Sequence, residues 1–338
     1  MNITHPSIIN AIEKSIVKNA TKAKCKSKKY EGLDFNIQNF KEIPPAQKKI
    51  TSMYIDGGNT EIIGNAGFSL QFIRVYWTAF EGTKRIMRHT SEFLAIITID
   101  LVQEQYTAEL YAEKKEGIEK IKEIPYKPNT YEDITPEKIA NYTRRICEIQ
   151  SAIDSIQHLP KESIICLDGN LCAKYEDEHT LLHELYNQAE KKNISVCAVT
   201  KSSGELTDAG TSLIGAIHML SDSSNCATKS WWYENSITNN NPLHHASIFI
   251  VKLHPLSSFA FMLDIAKKQN NKNPSDTEIE NIVQTLAMQS KDPTFLGYPY
   301  GLIDADKNAR CSNKEQKVMN TQMQLLLKNK AIRNMLSP

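Results

Sequence analysis

Met53-Tyr54-Ile55-Asp56-Gly57-Gly58-Asn59 and Ile164-Ile165-Cys166-Leu167-Asp168-Gly169-Asn170 share one pattern, a short apolar run closed by Asp-Gly. An apolar strand that ends this way points a carboxylate off the edge of a sheet. Two such ends, from distant parts of one chain, can meet at a single point. Carboxylates that meet repel each other unless a cation lies between them. The pair therefore predicts a divalent-metal site.

Reading outward, residues 50–56 form a first strand. Residues 66–80 are β-branched and aromatic and predict a long second strand, and 92–103 a third. Short connections between them favour an antiparallel meander. A charged segment, 112–137, leads to a helix over 135–157. Its Ile139, Ile146, Ile149, Ile153 and Ile156 recur at helical spacing, and Pro136 suits a first turn. Strand 163–168, helix 178–192 and strand 194–200 then imply a parallel pair with a right-handed crossover.

Residues 201–245 hold a helix at about 208–219 and a polar stretch, and look like an insertion or a mobile region. Trp231-Trp232-Tyr233 in it suit a buried patch or dimer contact better than base stacking. Two more strands are expected at 246–254 and 257–265, then helices at 275–290 and 304–330. Upstream, residues 5–22 look like an amphipathic helix carrying Ile8, Ile9, Ile12 and Ile16. A basic linker, Lys22 to Lys29, follows it. The domain expectation is therefore 1–45 as helix and linker, and 46–330 as one domain. The fold class is α/β with a central mixed sheet, meander first and β-α-β second, flanked by helices. That element order is the order of an RNase H-like fold.

Composition narrows the setting. The chain has 338 residues, of which 41% are hydrophobic, enough for a sizeable core. Its net charge is +1, so a nucleic-acid surface has to be a local patch. The first twenty residues lack the apolar core of a signal peptide. No run of about 18 apolar residues predicts a membrane span. The seven cysteines are scattered without a Cys-x-x-Cys pair. They read as reduced thiols in a cytoplasmic protein. Gly-x-x-x-x-Gly-Lys-Ser/Thr is absent, which removes the main support for a nucleotide-phosphate loop.

The chain resembles the NurA-type nucleases. Four pieces carry the resemblance, in order along residues 50–320. They are Tyr54-Ile55-Asp56-Gly57-Gly58 with the strand Leu70 to Tyr76; Cys166-Leu167-Asp168-Gly169-Asn170-Leu171; the strand Ile194 to Thr200 closing in Lys201-Ser202; and Gly297-Tyr298-Pro299-Tyr300-Gly301-Leu302-Ile303-Asp304-Ala305-Asp306. The resemblance implies a metal-dependent DNA nuclease with single-strand endonuclease and 5′–3′ exonuclease activity. It also implies Mn²⁺ or Mg²⁺, a homodimer, and a hexameric HerA-type ATPase partner in DNA end processing, repair or defence. Alternatives are a non-catalytic adaptor that binds such an ATPase, and another RNase H-like nuclease.

Hard divalent cations take oxygen ligands, so several carboxylates must converge. The resemblance implies Asp56, Glu148, Asp168 and Asp306 as metal ligands, with Asp154 a weaker substitute for Glu148. Many family members place a histidine where this chain has Asp306. A carboxylate suits Mg²⁺ or Mn²⁺ equally. Lys201 would hold a phosphate and Tyr298 would orient phosphate or water. Arg74, on the second strand, reads as structural. His244 and His245 are adjacent on a strand, point to opposite faces, and read as structural together with His254.

Overall fold

The computed structural model describes residues 9–10, 30–31, 35–128, 133–201, 206–207, 210–239, 243–268, 272–327 and 336. Ile9 and Asn10 are helical. The remainder of the helix expected over 5–22, and the basic linker, lie outside the described residues.

Five strands form the antiparallel meander: β3 (Thr51–Asn65), β4 (Phe68–Glu81), β5 (Lys84–Asp100), β6 (Gln105–Lys114) and β7 (Gly117–Pro125). The segment expected to be merely charged, 112–137, thus holds β7 and the end of β6. β7 is the sheet edge, and eight of its nine residues are exposed. An exposed edge strand needs no apolar alternation, and charge on it discourages pairing with other chains.

After the meander come α1 (Pro136–Ser155), β8 (Ile164–Asp168), α2 (Glu176–Lys191) and β9 (Ser195–Thr200). β8 pairs parallel with both β3 and β9. The run β5-β4-β3-β8-β9, three antiparallel strands followed by two parallel ones, is the RNase H-like arrangement. Beyond it the sheet continues through β12 (Phe261–Ala266), β11 (Ala246–Lys252) and β10 (Trp231–Asn239). The short strands β1 (Tyr30–Glu31) and β2 (Phe40–Glu42) both pair with β10.

The stretch 201–245 therefore gives the sheet a strand, as well as helix α3 (Leu213–Ser221). Trp231, Trp232 and Tyr233 are at most 2% exposed, so they offer no ring face to a base. The C-terminal helix expected over 304–330 is two helices, α5 (Tyr300–Ala309) and α6 (Asn313–Leu326), which follow α4 (Asp276–Gln289). Ser312 and Glu315 close a reciprocal capping box that starts α6. The Ser-x-x-Glu spacing was its sequence signal.

Two layers of helix cover the sheet. Alternate residues of β3 serve opposite faces. Met53 and Ile55 join a cluster with Ile139, Ile146, Ile149, Ile153 and Ile156, the predicted apolar stripe and its 3₁₀ extension. All five isoleucines are buried, each contributing roughly 1.5–3 kcal/mol relative to exposure. Tyr54 faces the other way, into a cluster with Ile282, Leu286, Tyr298 and Leu302 from the α4–α5 side. Cys166 and Cys197, expected as small core residues, are both fully buried there.

Asp56 is not at a strand end. β3 runs on past it, and Asp56 pairs with Tyr76 of β4. What ends at this level is the parallel neighbour, whose last pairing with β3 is Leu167 to Ile55. The carboxylates still meet because β3 outlasts β8. The two glycines after Asp56 are explained by close approach rather than by a turn. A Cβ on Gly57 would stand 2.7 Å from Glu148 Oε1, and one on Gly58 2.5 Å from the Ala309 carbonyl oxygen. Gly58→Ala is expected to push α5 off the sheet and cost about 1–3 kcal/mol of stability. Urea denaturation measures this, and an unchanged midpoint would contradict the packing.

Candidate metal centre

Three acids arrive from three elements. Asp56 stands within β3 and is 7% exposed, Asp168 is the last residue of β8, and Glu148 lies on α1, 3% exposed. All three line one cavity of about 580 Å³. Its wall also carries Lys138, Arg144, Arg145, Lys174 and Lys201. Acids at the floor within a basic wall suit a cation below and a polyanion above.

The electrostatics follow from this crowding. Burial, then Glu148 and Asp168, push the Asp56 pKa up to about 8, while the Gly57 N–H and Arg144 pull the other way. The Gly57 N–H donates to Asp56 Oδ1 at 2.8 Å. Arg144 Nη1 donates to the Gly57 carbonyl at 2.9 Å, pairs with Glu148, and lies 3.9 Å from Asp56 Oδ1. A guanidinium thus stands between Asp56 and Glu148, where their repulsion calls for positive charge.

Arg145 secures Glu148 from the other side. It pairs with Glu148 and Glu178 at 3.3 Å each, and donates to the Asn170 carbonyl at 2.7 Å. Asp168 is held by three donors: Tyr298 Oη at 2.9 Å, Lys201 Nζ at 3.1 Å and the Gly169 N–H at 3.0 Å. Tyr298 is fully buried, and burial followed by Asp168 raises its pKa well above the ordinary range. Its hydroxyl stays protonated and donates. Lys201 Nζ also sits 4.8 Å from the centre of the Tyr298 ring.

The donor set fits hard divalent cations. It is all oxygen, and Asp56 carries a raised pKa because it is buried and two like charges face it. Arg144 and Lys201 already mark where positive charge is favoured.

The structure brings together Asp56, Glu148, Asp168, Lys201 and Tyr298. It does not bring Asp306 to them. Both Asp306 oxygens engage Arg310, at 3.0 and 2.7 Å, and Asp306 does not line the cavity. The pair is four residues apart on a helix, a spacing that favours ion pairing. Asp304, two residues earlier, pairs with Arg85 at 2.6 Å and accepts from Tyr76 at 3.3 Å. Asp154 is exposed and bonded to Gln150, so it does not replace Glu148. Arg74 ties β4 to Glu92, Glu315 and the Arg310 carbonyl, a structural role.

Two participants, Arg145 and Glu178, were not singled out from the sequence. Arg144 and Arg145 precede Glu148 by four and three residues, a helical spacing that offers Glu148 an ion pair with Arg144 and could have found Arg145 too. Glu178 had no such signal, because its contact depends on how α2 packs against α1.

No protein-family model matches the chain, and no curated protein matches its sequence. Among solved structures, the chain is similar to the NurA nuclease from Sulfolobus solfataricus. The two are 13% identical, with 95% of this chain and 93% of the other aligned, at a TM-score of 0.52. An endonuclease V from Ciona intestinalis, solved with an inosine-containing DNA, aligns over 93% of this chain and 99% of its own. It is 15% identical with a TM-score of 0.40, too low to establish a shared fold.

Proposed function

We propose that this chain is a metal-dependent nuclease that hydrolyses phosphodiester bonds in DNA. The observation that carries the reading is the meeting of Asp56, Glu148 and Asp168 on the floor of one basic-walled cavity. The likeness in fold to a NurA nuclease supports it.

Asp56, Glu148 and Asp168 would hold Mn²⁺ or Mg²⁺. Asp306 joins as a fourth ligand if Arg310, whose side chain is 71% exposed, releases it. When bound, such ions would supply an activated water and charge to stabilise the leaving oxygen. The protein's own residues do the remaining work. Tyr298 fixes one Asp168 oxygen by donating a hydrogen bond to it, and Lys201 fixes the other. Lys201, Lys174 and Lys138 neutralise the DNA backbone at the rim, so binding should weaken as salt rises. Arg145 holds Glu148 in place. Arg144 must yield its place between Asp56 and Glu148 when a cation enters. It is then free to meet a phosphate oxygen, which Arg binds in a forked geometry.

Single-strand endonuclease and 5′–3′ exonuclease activity, a homodimer and a HerA-type hexameric ATPase partner complete the proposal. No described helix is long and apolar enough to cross a membrane.

The deciding experiment incubates end-labelled single- and double-stranded DNA with the protein and Mn²⁺, Mg²⁺ or a chelator. Cleavage with either ion, abolished by the chelator, is expected. A protein that cuts nothing under any of these conditions, with or without a hexameric ATPase, is an adaptor instead.

A further inference from the structure

Three histidines gather outside the carboxylate cavity. His179 and His183 stand one turn apart on α2, and His245 immediately precedes β11. One ligating atom from each lies within 4.8 Å of the other two. The ring centres are 4.4 Å (His179 to His183), 5.1 Å (His179 to His245) and 4.5 Å (His183 to His245) apart. All three side chains are half-buried.

The details favour nitrogen ligation over simple packing. His179 Nε2 is sealed from solvent and has no hydrogen-bond partner. A buried polar atom without a partner costs about 1–3 kcal/mol unless something satisfies it. The other nitrogen of the same ring, Nδ1, lies 3.8 Å from Glu176 Oε1. At that distance the carboxylate is not hydrogen-bonded to the ring, but its charge favours a proton on Nδ1, which leaves Nε2 the lone pair that a metal-bound histidine uses.

We propose that His179, His183 and His245 bind a zinc-type divalent cation, at a site separate from the oxygen-donor centre. Imidazole donors favour borderline cations such as Zn²⁺, while carboxylates favour Mg²⁺ and Mn²⁺. Three histidines leave a fourth tetrahedral position for water. The two sites therefore differ in the ions they select.

The placement gives such an ion structural leverage. It would tie the start of β11 to α2 beside the loop that walls the carboxylate cavity. His244, next to His245, is buried against Asp264 at 3.2 Å, and Asp264 Oδ2 also accepts the Leu171 N–H at 3.0 Å. Cys172 bridges to His244 through the backbone. On the helix side, Glu178 neighbours His179 and pairs with Arg145, which holds Glu148. The inference stands whether or not the carboxylate cavity cuts DNA.

The test uses the full chain stripped of metal. Zinc is titrated against a chromogenic chelator in the presence of excess Mg²⁺, and Co²⁺ is added separately as a spectroscopic probe. One tight equivalent of zinc is expected, with a rise in melting temperature and the intense visible absorption of tetrahedral Co²⁺. His183→Gln and His245→Asn should each lose the tight equivalent and the absorption. Glu176→Gln should weaken zinc by about 10-fold. Asp56→Asn should leave zinc binding intact. Circular dichroism checks that the variants are folded, and His183→Gln, on a half-exposed helix face, carries the test if His245→Asn unfolds. No tight zinc in the wild type overturns the proposal. So does binding that survives His183→Gln, or binding that Asp56→Asn abolishes.

Discussion

Asp56→Asn is expected to abolish DNA cleavage and, without metal, to make the protein more stable. The two effects share one cause. In the folded chain the Asp56 pKa is raised from 3.8 to about 8 by burial, Glu148 and Asp168. Between those values the folded state keeps a proton that the unfolded chain has released. Stability therefore falls as pH rises through the window, and the full cost is present above it. A neutral amide removes that cost. One pKa unit is worth about 1.4 kcal/mol, so a gain of roughly 1–3 kcal/mol at pH 8 is a conservative expectation. Cleavage should drop by about 10³-fold or more, since a ligand of the reacting centre is lost. Thermal melting in chelator and a cleavage assay in Mn²⁺ give the two readouts. A variant that cuts as well as the wild type removes Asp56 from the centre. One that melts lower at pH 8 contradicts the crowding of the acids.

The second large effect is expected at Arg145. Its side chain is 15% exposed and serves two acids, Glu148 and Glu178, that are 4% and 5% exposed. Breaking a buried ion pair by removing one partner costs about 3–5 kcal/mol, because the remaining charge is left unpaired. Arg145→Met keeps the aliphatic bulk, strips Glu178 of its ion pair and leaves Glu148 to Arg144 alone. A loss in that range is expected in urea denaturation, together with loss of cleavage. Adding Glu178→Gln to the same chain should recover part of the stability, and the double-mutant cycle measures the coupling. A loss below about 1 kcal/mol for the single variant would show that water already compensates the two acids.

The sequence made the centre of the fold legible, because the period of its apolar residues is unambiguous there. The isoleucines of α1 and of its 3₁₀ extension, and the apolar cores of β4 and β8, fall where the pattern puts them. Two strands were missed for different reasons. β7 is an edge strand of Glu and Lys, and β10 lies in a stretch whose polar residues hide a buried Trp-Trp-Tyr. Asp56 and Asp168 were picked out because each closes an apolar run with Asp-Gly, although Asp56 lies inside a strand that runs on past it, and Glu148 was reached through the resemblance. Asp306 was placed by motif alone, and its helical partner Arg310 now holds it. The histidine trio had no linear signal. Two of its members come from one helix, and the third from a segment that only the fold brings near.

The cover over one face of β3 comes late in the chain. Tyr76, beside Asp56, bonds to Asp304, and 228 residues separate them. A ribosome adding roughly 5–20 residues per second needs on the order of tens of seconds to span that gap. During that interval the nascent meander has its first acid but lacks Tyr298 and α5. Its Tyr54 face stands open, a natural target for chaperones. The candidate site is complete only when synthesis has passed these residues.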